Sequence, residues 1–271
     1  MPELPEVETT RLGIAPHILG QVIEDVIVRN KNLRWPITAT LKKDLLNNKF
    51  QRIDRRGKYL LCYTDHGCMI THLGMSGSLR IVDKKIKPEK HDHLDILFAT
   101  GNILRFHDPR RFGSILWTRK DPFQHKLIKD LGPEPLSDDF NGQWLYRRSR
   151  KRTQAIKNFI MDSHNVVGVG NSYASESLFL AGINPKRKAG NISLERYERL
   201  TKAIKKILKQ AIKQGGTTLR DFVNGEGKPG YFQQQLNVYG RKGEPCKQCK
   251  STIKEIKLGQ RSSFHCPVCQ R

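Results

Sequence analysis

Two groups of residues in this chain have the types and spacing to do chemistry. The first is the start, Met1-Pro2-Glu3-Leu4-Pro5-Glu6-Val7-Glu8-Thr9. Trimming of the initiator methionine leaves Pro2 as the expected terminus. Proline is the only residue whose free terminus is a secondary amine. An α-amine titrates near pH ~8, so a useful fraction is nucleophilic at neutral pH. If such an amine adds to a sugar C1′, the iminium formed keeps its charge, because the nitrogen has no proton left to lose. That charge weakens the adjacent C–H bond and favours elimination of a phosphate. Glu3, next to it, can donate or accept a proton. A plainer reading makes Pro2, Glu3, Glu6 and Glu8 the acidic first turn of a helix. Both can hold, since a helix is what would position the amine. The second group is Cys246-x2-Cys249, sixteen residues, then Cys266-x2-Cys269. Four soft thiolates on two tight turns suit tetrahedral Zn2+, and four protein ligands leave no open position, so the ion is expected to be structural. The alternative is two disulfides. Cys62 and Cys68 lack a partner motif and read as packing residues.

Composition narrows the partners. The chain has 271 residues, with 49 Lys and Arg against 26 Asp and Glu, a formal net charge of +23. That points to a polyanion, with nucleic acid ahead of an anionic membrane. No apolar run approaches the ~20 residues of a membrane span. Residues 1–20 carry acids where a signal peptide carries bases, so the expected location is cytoplasmic, where thiols stay reduced and metal is favoured over disulfides.

The elements that must position these groups change character along the chain. After a first helix, segments 22–28, 58–63, 69–73, 78–82, 94–98 and 103–106 are short and β-rich, separated by turn residues at the spacing of an antiparallel sandwich or barrel. Segments 141–163, 171–182 and 193–214 have helical periodicity, the last opening near Ser193 and closing at Gly215-Gly216. The Pro-rich stretch 131–136 reads as a linker. Arg147-Arg148-Ser149-Arg150-Lys151-Arg152 holds five cations, read as phosphate contact, and Lys157 follows. Gly168-Val169-Gly170-Asn171 precedes a helical run, where backbone N–H groups can cradle a phosphate and Asn171 can cap the helix. Lys202, Lys205, Lys206, Lys209 and Lys213 form a basic helical face, read as solvated. Asp108-Pro109-Arg110-Arg111-Phe112-Gly113 lies between strands and combines a guanidinium with an aromatic, as a wedge into a base stack requires. Met75 lies between Gly74 and Gly77. Taken alone, Met75 and Phe112 read as core residues.

Taken together, these motifs resemble the bacterial formamidopyrimidine-DNA glycosylase family. The likeness is carried end to end by Pro2-Glu3-Leu4-Pro5-Glu6-Val7-Glu8, Arg55-Arg56-Gly57-Lys58-Tyr59-Leu60, His72-Leu73-Gly74-Met75-Ser76-Gly77, Lys90-His91-Asp92-His93, Asp108 to Gly113, Val167 to Asn171 and the four cysteines. The resemblance implies an α+β chain: an N-terminal β-sandwich with an N-terminal helix (1–130), a helix–two-turn–helix DNA-binding domain (131–236) and a C-terminal four-cysteine zinc-finger hairpin (237–271). It implies a monomeric, nucleoid-associated repair enzyme with no small-molecule cofactor. Such an enzyme removes oxidised purines from damaged double-stranded DNA and cleaves the abasic site by β,δ-elimination. Pro2 would attack C1′ and Glu3 would protonate the ring oxygen. Lys58 would hold the lesion and a flanking phosphate and donate a proton in β-elimination. Arg261 would grip phosphate and serve δ-elimination. Met75, Arg110 and Phe112 would fill the gap left by the flipped base, with Arg110 facing the orphaned cytosine. His91, Lys151 and Asn171 would contact the DNA backbone, Lys157 would handle the lesion, and 217–230 would close over it. Asn158 and Ser172 stand where relatives often have proline and isoleucine. Two rivals remain: the sister glycosylase for oxidised pyrimidines, which shares the fold, Pro2, Glu3 and the ribbon, and a non-catalytic zinc-ribbon protein that binds nucleic acid. The Leu4-Pro5-Glu6-Val7 start and the Arg110-to-Phe112 wedge favour the purine enzyme.

Overall fold

Short β-rich runs bounded by turn residues recur through 53–116, and in the computed structural model, which describes residues 2–216 and 235–271, these become strands, the central ones buried at consecutive positions and so covered on both faces. The chain divides into two compact units. One runs to Asp130 and resumes at Gln214, and the other runs from Leu131 to Lys213 and resumes at Gln234.

The first unit opens with α1 (Leu4–Ile18), then β1 (Ile23–Val28) and a short α2 (Leu41–Leu45). Seven strands follow: β2 (Arg52–Arg56), β3 (Tyr59–Thr64), β4 (Gly67–His72), β5 (Ser78–Asp83), β6 (Asp92–Phe98), β7 (Asn102–His107) and β8 (Ser114–Thr118). They form two four-stranded sheets, ordered β1-β6-β7-β5 and β2-β3-β4-β8, with every pairing antiparallel. Leu60, Cys62, Met69 and Ile115 from one sheet and Val26, Leu94, Ile96, Leu104 and Phe106 from the other belong to one core. Two sheets closing on one apolar layer make a sandwich. Helix α1 contributes Val7, Ile14 and Ile18 to that core and packs against β2 and β3 of one sheet and β5 and β7 of the other. Strands β2 and β8 were not legible as strands. Both are sheet edges, and only Ile53 of β2 is buried, so its charged sequence is tolerated there.

The second unit holds α3 (Gly142–Ser149), α4 (Ile156–Met161), α5 (Asn171–Leu180), α6 (Leu194–Lys213) and the hairpin β9 (Lys254–Leu258) to β10 (Arg261–His265). The single helix expected over 141–163 is two. Arg147, Arg148, Arg150 and Arg152 would crowd like charges along one helix, and the chain instead turns at Lys151, whose φ is +63°. Helix α6 is amphipathic: Leu200, Ile204, Leu208 and Ala211 are buried, while Lys202, Lys206, Lys209 and Lys213 are exposed, as their spacing leads one to expect. Lys205 departs from that face, half-buried and donating to the Ser137 carbonyl at 2.7 Å. Its start is capped, with Arg196 N–H donating to Ser193 Oγ at 3.4 Å. Helix α5 is buried from Ser172 through Phe179 and packs against α4, α6 and β10. Among the described residues no helix is long and apolar enough to cross a membrane. The expected closing loop, 217–230, lies outside the described residues.

Candidate functional site

In the first unit the terminus is held at the head of α1. Glu3 caps the helix and Pro5 occupies its second position, where a missing N–H costs nothing. The Glu3 N–H donates to Glu6 Oε2 at 2.8 Å, and both side chains are almost fully buried. The Glu6 carboxylate thereby fixes the backbone to which Pro2 is bonded. Gly216, with φ +80°, lies against Glu6, and a Cβ there would come within 2.9 Å of Glu6 Oε1. Farther along α1, Glu8 accepts from Arg55 Nε at 3.0 Å, while Arg55 Nη1 donates to the Gly57 carbonyl at 3.0 Å. Burial pushes the Glu8 carboxyl up, but the Arg11 and Arg55 guanidiniums outweigh it and hold it below its ordinary value. One guanidinium thus ties the helix that begins at Pro2 to the turn that carries Lys58.

That turn is the two-residue loop Gly57-Lys58 between paired Arg56 and Tyr59. Gly57 has φ +58°, as the first position of a tight hairpin turn requires. Lys58 is half-buried. Beside it stands His72, whose part in the site the sequence did not reveal. Its imidazole is pushed down to about 4, first by burial and then by the Lys58 and Arg34 charges. It is therefore neutral, and its Nδ1 accepts the Gly74 N–H at 3.0 Å.

Met75 and Phe112 stand outside the core, against the plain reading of their composition. Met75 is 40% exposed and Phe112 42%. Arg110 is exposed and lies over the Phe112 ring, 4.9 Å from its centroid. His91 is half-buried and packs edge-on against His107 and His93.

In the second unit, Gly170 caps α5 and Asn171 is its first residue, so Asn171 does not serve as the cap. Its amide instead donates to the Ser262 carbonyl at 3.1 Å and to Tyr239 Oη at 3.3 Å. Lys157 is 1% exposed, and its ammonium donates to the same Ser262 carbonyl at 3.0 Å and to Ser263 Oγ at 2.7 Å. Lys157 is therefore buried and held on β10. The basic run is also divided. Half-buried Arg150 donates to the Ile192 carbonyl at 2.8 Å, whereas Arg147, Arg148, Lys151 and Arg152 are exposed, Arg148 also donating to Asn165 Oδ1 at 2.9 Å. Arg261 is exposed at the hairpin tip, directly after Gly259-Gln260, whose φ values are both positive as a type I′ turn needs.

The four cysteine sulfurs all lie within 4.8 Å of one another. Cys246 Sγ is 3.9 Å from Cys269 Sγ and Cys249 Sγ is 3.4 Å from Cys266 Sγ. A tetrahedron with Zn–S of ~2.3 Å has an edge of roughly 3.8 Å, so the cage fits zinc and is too open for two disulfides. Glu176 is the residue here that sequence reading missed. Buried at 1% exposure, its carboxylate accepts from the backbone N–H groups of Asn237, Val238 and Tyr239 at 2.8–2.9 Å and from Asn237 Nδ2 at 3.0 Å. An acid inside the otherwise apolar and small-residue run of α5 was its only sequence signal.

A β-sandwich whose first helix follows Pro2, a helical unit and a four-cysteine ribbon define a zinc-ribbon enzyme class whose exposed cations suit nucleic acid. Family models agree: the formamidopyrimidine-DNA glycosylase N-terminal domain matches residues 1–115, its H2TH domain 131–223, and the zinc finger found in FPG and IleRS 243–271. Proteins named formamidopyrimidine-DNA glycosylase from Teredinibacter turnerae and Stutzerimonas stutzeri are 60% and 58% identical over the full length of both chains. A Lactococcus lactis FPG mutant, solved with a Fapy-dG containing DNA, superposes with a TM-score of 0.93 at 36% identity over all of both chains. The MutM (FPG) protein of Thermus thermophilus superposes with 0.89 at 34% identity, covering 99% of this chain and 98% of that one. The chain belongs to the formamidopyrimidine-DNA glycosylase family.

Proposed function

We propose that this protein excises oxidised purines, 8-oxoguanine and formamidopyrimidines, from damaged duplex DNA and then cleaves the abasic site. The observation that carries the reading is the held start of α1, where removal of Met1 would free the Pro2 nitrogen. Pro2 heads a buried helix whose Glu3 backbone is clamped by Glu6, and Arg55 links that helix to the Lys58 turn. The Pro2 nitrogen adds to C1′ of the flipped nucleotide and the glycosidic bond breaks, the base leaving with its electron pair. Glu3 protonates the ring oxygen as the sugar opens to an iminium. Loss of the C2′ proton expels the 3′ phosphate, with Lys58 supplying a proton, and the second elimination expels the 5′ phosphate, with Arg261 as the cation on it. Water then frees Pro2.

Recognition divides between the sandwich and the rest of the chain, with organisation 1–130, 131–236 and 237–271. Met75, Arg110 and Phe112 enter the gap in the stack, where an apolar wedge offsets unstacking. His91, Lys151 and Asn171 serve the backbone, and Lys157, held on β10, handles the lesion. Zinc on Cys246, Cys249, Cys266 and Cys269 holds the ribbon and takes no part in the chemistry. Backbone contacts carry no base information, so lesion choice lies in the pocket. The protein acts as a monomer at the nucleoid.

Borohydride reduction during turnover on an 8-oxoguanine duplex is expected to yield a covalent adduct whose mass locates it at residue 2. Pro2→Gly should slow excision and Glu3→Gln should nearly abolish it. A fully active preparation with a blocked residue-2 nitrogen, or full activity in Glu3→Gln, would refute the mechanism. Excision of thymine glycol in preference to 8-oxoguanine would assign the chain to the pyrimidine branch.

A further inference from the structure

The buried carboxylate of Asp108 takes no part in the proposed chemistry, yet it joins the bases of both loops assigned to the stack gap. We propose that Asp108 and Ser76 are positioning residues that lock Met75, Arg110 and Phe112 into one wedge shaped before DNA is met. The inference rests on the function proposed above.

Asp108 is fully buried and Ser76 is 6% exposed. The Ser76 hydroxyl donates to Asp108 Oδ1 at 2.8 Å and accepts the Arg110 N–H at 3.2 Å. The other carboxylate oxygen, Oδ2, accepts the Gly113 N–H at 2.8 Å, closing the Arg110-to-Phe112 loop on its own base. The hub is anchored in turn: Asp108 N–H donates to the His91 carbonyl at 3.0 Å, and its own carbonyl meets His93 Nε2 at 2.8 Å. The loops also touch directly. Gly74 has φ +66°, and a Cβ there would collide with the Phe112 backbone. Three exposed tips, one from the Met75 turn and two from the following loop, thus share a single buried polar bridge. A wedge that is already rigid loses less side-chain and loop entropy on insertion. The same bridge aims Arg110, so it also bears on how the orphaned base is read.

The test uses the full-length zinc-loaded protein on three substrates: 8-oxoguanine opposite cytosine, 8-oxoguanine opposite adenine, and a single-stranded oligonucleotide with a preformed abasic site, which has no gap to fill. For Ser76→Ala, kcat/KM on the cytosine duplex is expected to fall about tenfold while single-strand nicking stays within about twofold, the scale of one unsatisfied buried hydrogen-bonding group. The preference for cytosine over adenine should shrink, and Ser76→Thr, which keeps the hydroxyl, should restore both readouts. Asp108→Asn, which keeps the side-chain volume but replaces one acceptor with a donor, should show the same split. Equal loss on all three substrates, or no loss in either variant, overturns the proposal. Wild-type protein that neither excises from the duplex nor forms the borohydride adduct instead refutes the underlying function.

Discussion

At the scale of single residues, burial decides what a charged or polar group can do. His72 is held near about 4 by burial and by the Lys58 and Arg34 charges, whereas an unfolded imidazole titrates near ~6.5. Between those values the unfolded chain binds a proton that the fold refuses. Stability therefore falls as pH drops through ~6.5 and levels off below about 4, a contribution of about 3 kcal/mol. Thermal melts from pH ~7 to ~4.5 should show a shallower loss in His72→Gln than in wild type, and parallel losses would remove His72 from the acid response. Lys157 and Lys151 make an opposite pair, one buried in β10 contacts and one exposed. Lys157→Met should cost about 1–3 kcal/mol of stability by removing the ammonium's hydrogen bonds to the Ser262 carbonyl, which keeps its Asn171 donor, and to Ser263 Oγ, with little change in the salt dependence of DNA binding. Lys151→Ala should do the reverse and lower the slope of log K against log salt by ~1. A lowered slope in Lys157→Met would place that ammonium at a phosphate after all.

At the scale of elements, short polar bridges set the alignment that helices and strands alone do not. Arg55 joins α1 to the Lys58 turn, and Glu176 joins α5 to the segment leading into the ribbon. Glu176→Gln replaces one oxygen acceptor with a donor facing N–H groups. It should destabilise the second unit by about 2–3 kcal/mol, seen as a lower melting temperature with zinc content unchanged. A variant as stable as wild type would mean that those N–H groups find other partners. The hairpin tip follows the same logic, because Gly259-Gln260 turns tightly enough to leave Arg261 at its end.

For the whole molecule, a net charge of +23 supplies backbone affinity that is independent of lesion. With ~6 phosphate contacts, affinity should fall roughly a thousandfold between 50 and 200 mM salt. The ribbon depends on its ion instead. Its core has Phe179, Val238, Cys246, Ile253 and Cys266 as its buried residues, and zinc coordination can contribute ~10 kcal/mol or more to such a fold. Chelation should unfold β9 and β10, releasing the Arg261 tip and abolishing duplex binding, and added Zn2+ should restore it. Retained binding in metal-free protein would show that the ribbon folds without its ion.

The sequence by itself determined the groups whose chemistry is local. A proline freed of Met1 would be a secondary amine in any fold, four paired cysteines are a zinc cage wherever they meet, and the cation excess needs no structure to be counted. The inner strands were legible for the same reason, since short β-rich runs bounded by turn residues are written along the chain. Only the tertiary structure decided which residues were inside. Met75 and Phe112 left the core, Lys157 entered it, Asn171 turned from a helix cap to a tie on Ser262, and one expected helix became α3 and α4. Asp108, His72 and Glu176 acquired their roles from partners 32, 14 and 61 or more positions away. Local periodicity carries no record of such distant neighbours, and burial is a property of neighbours.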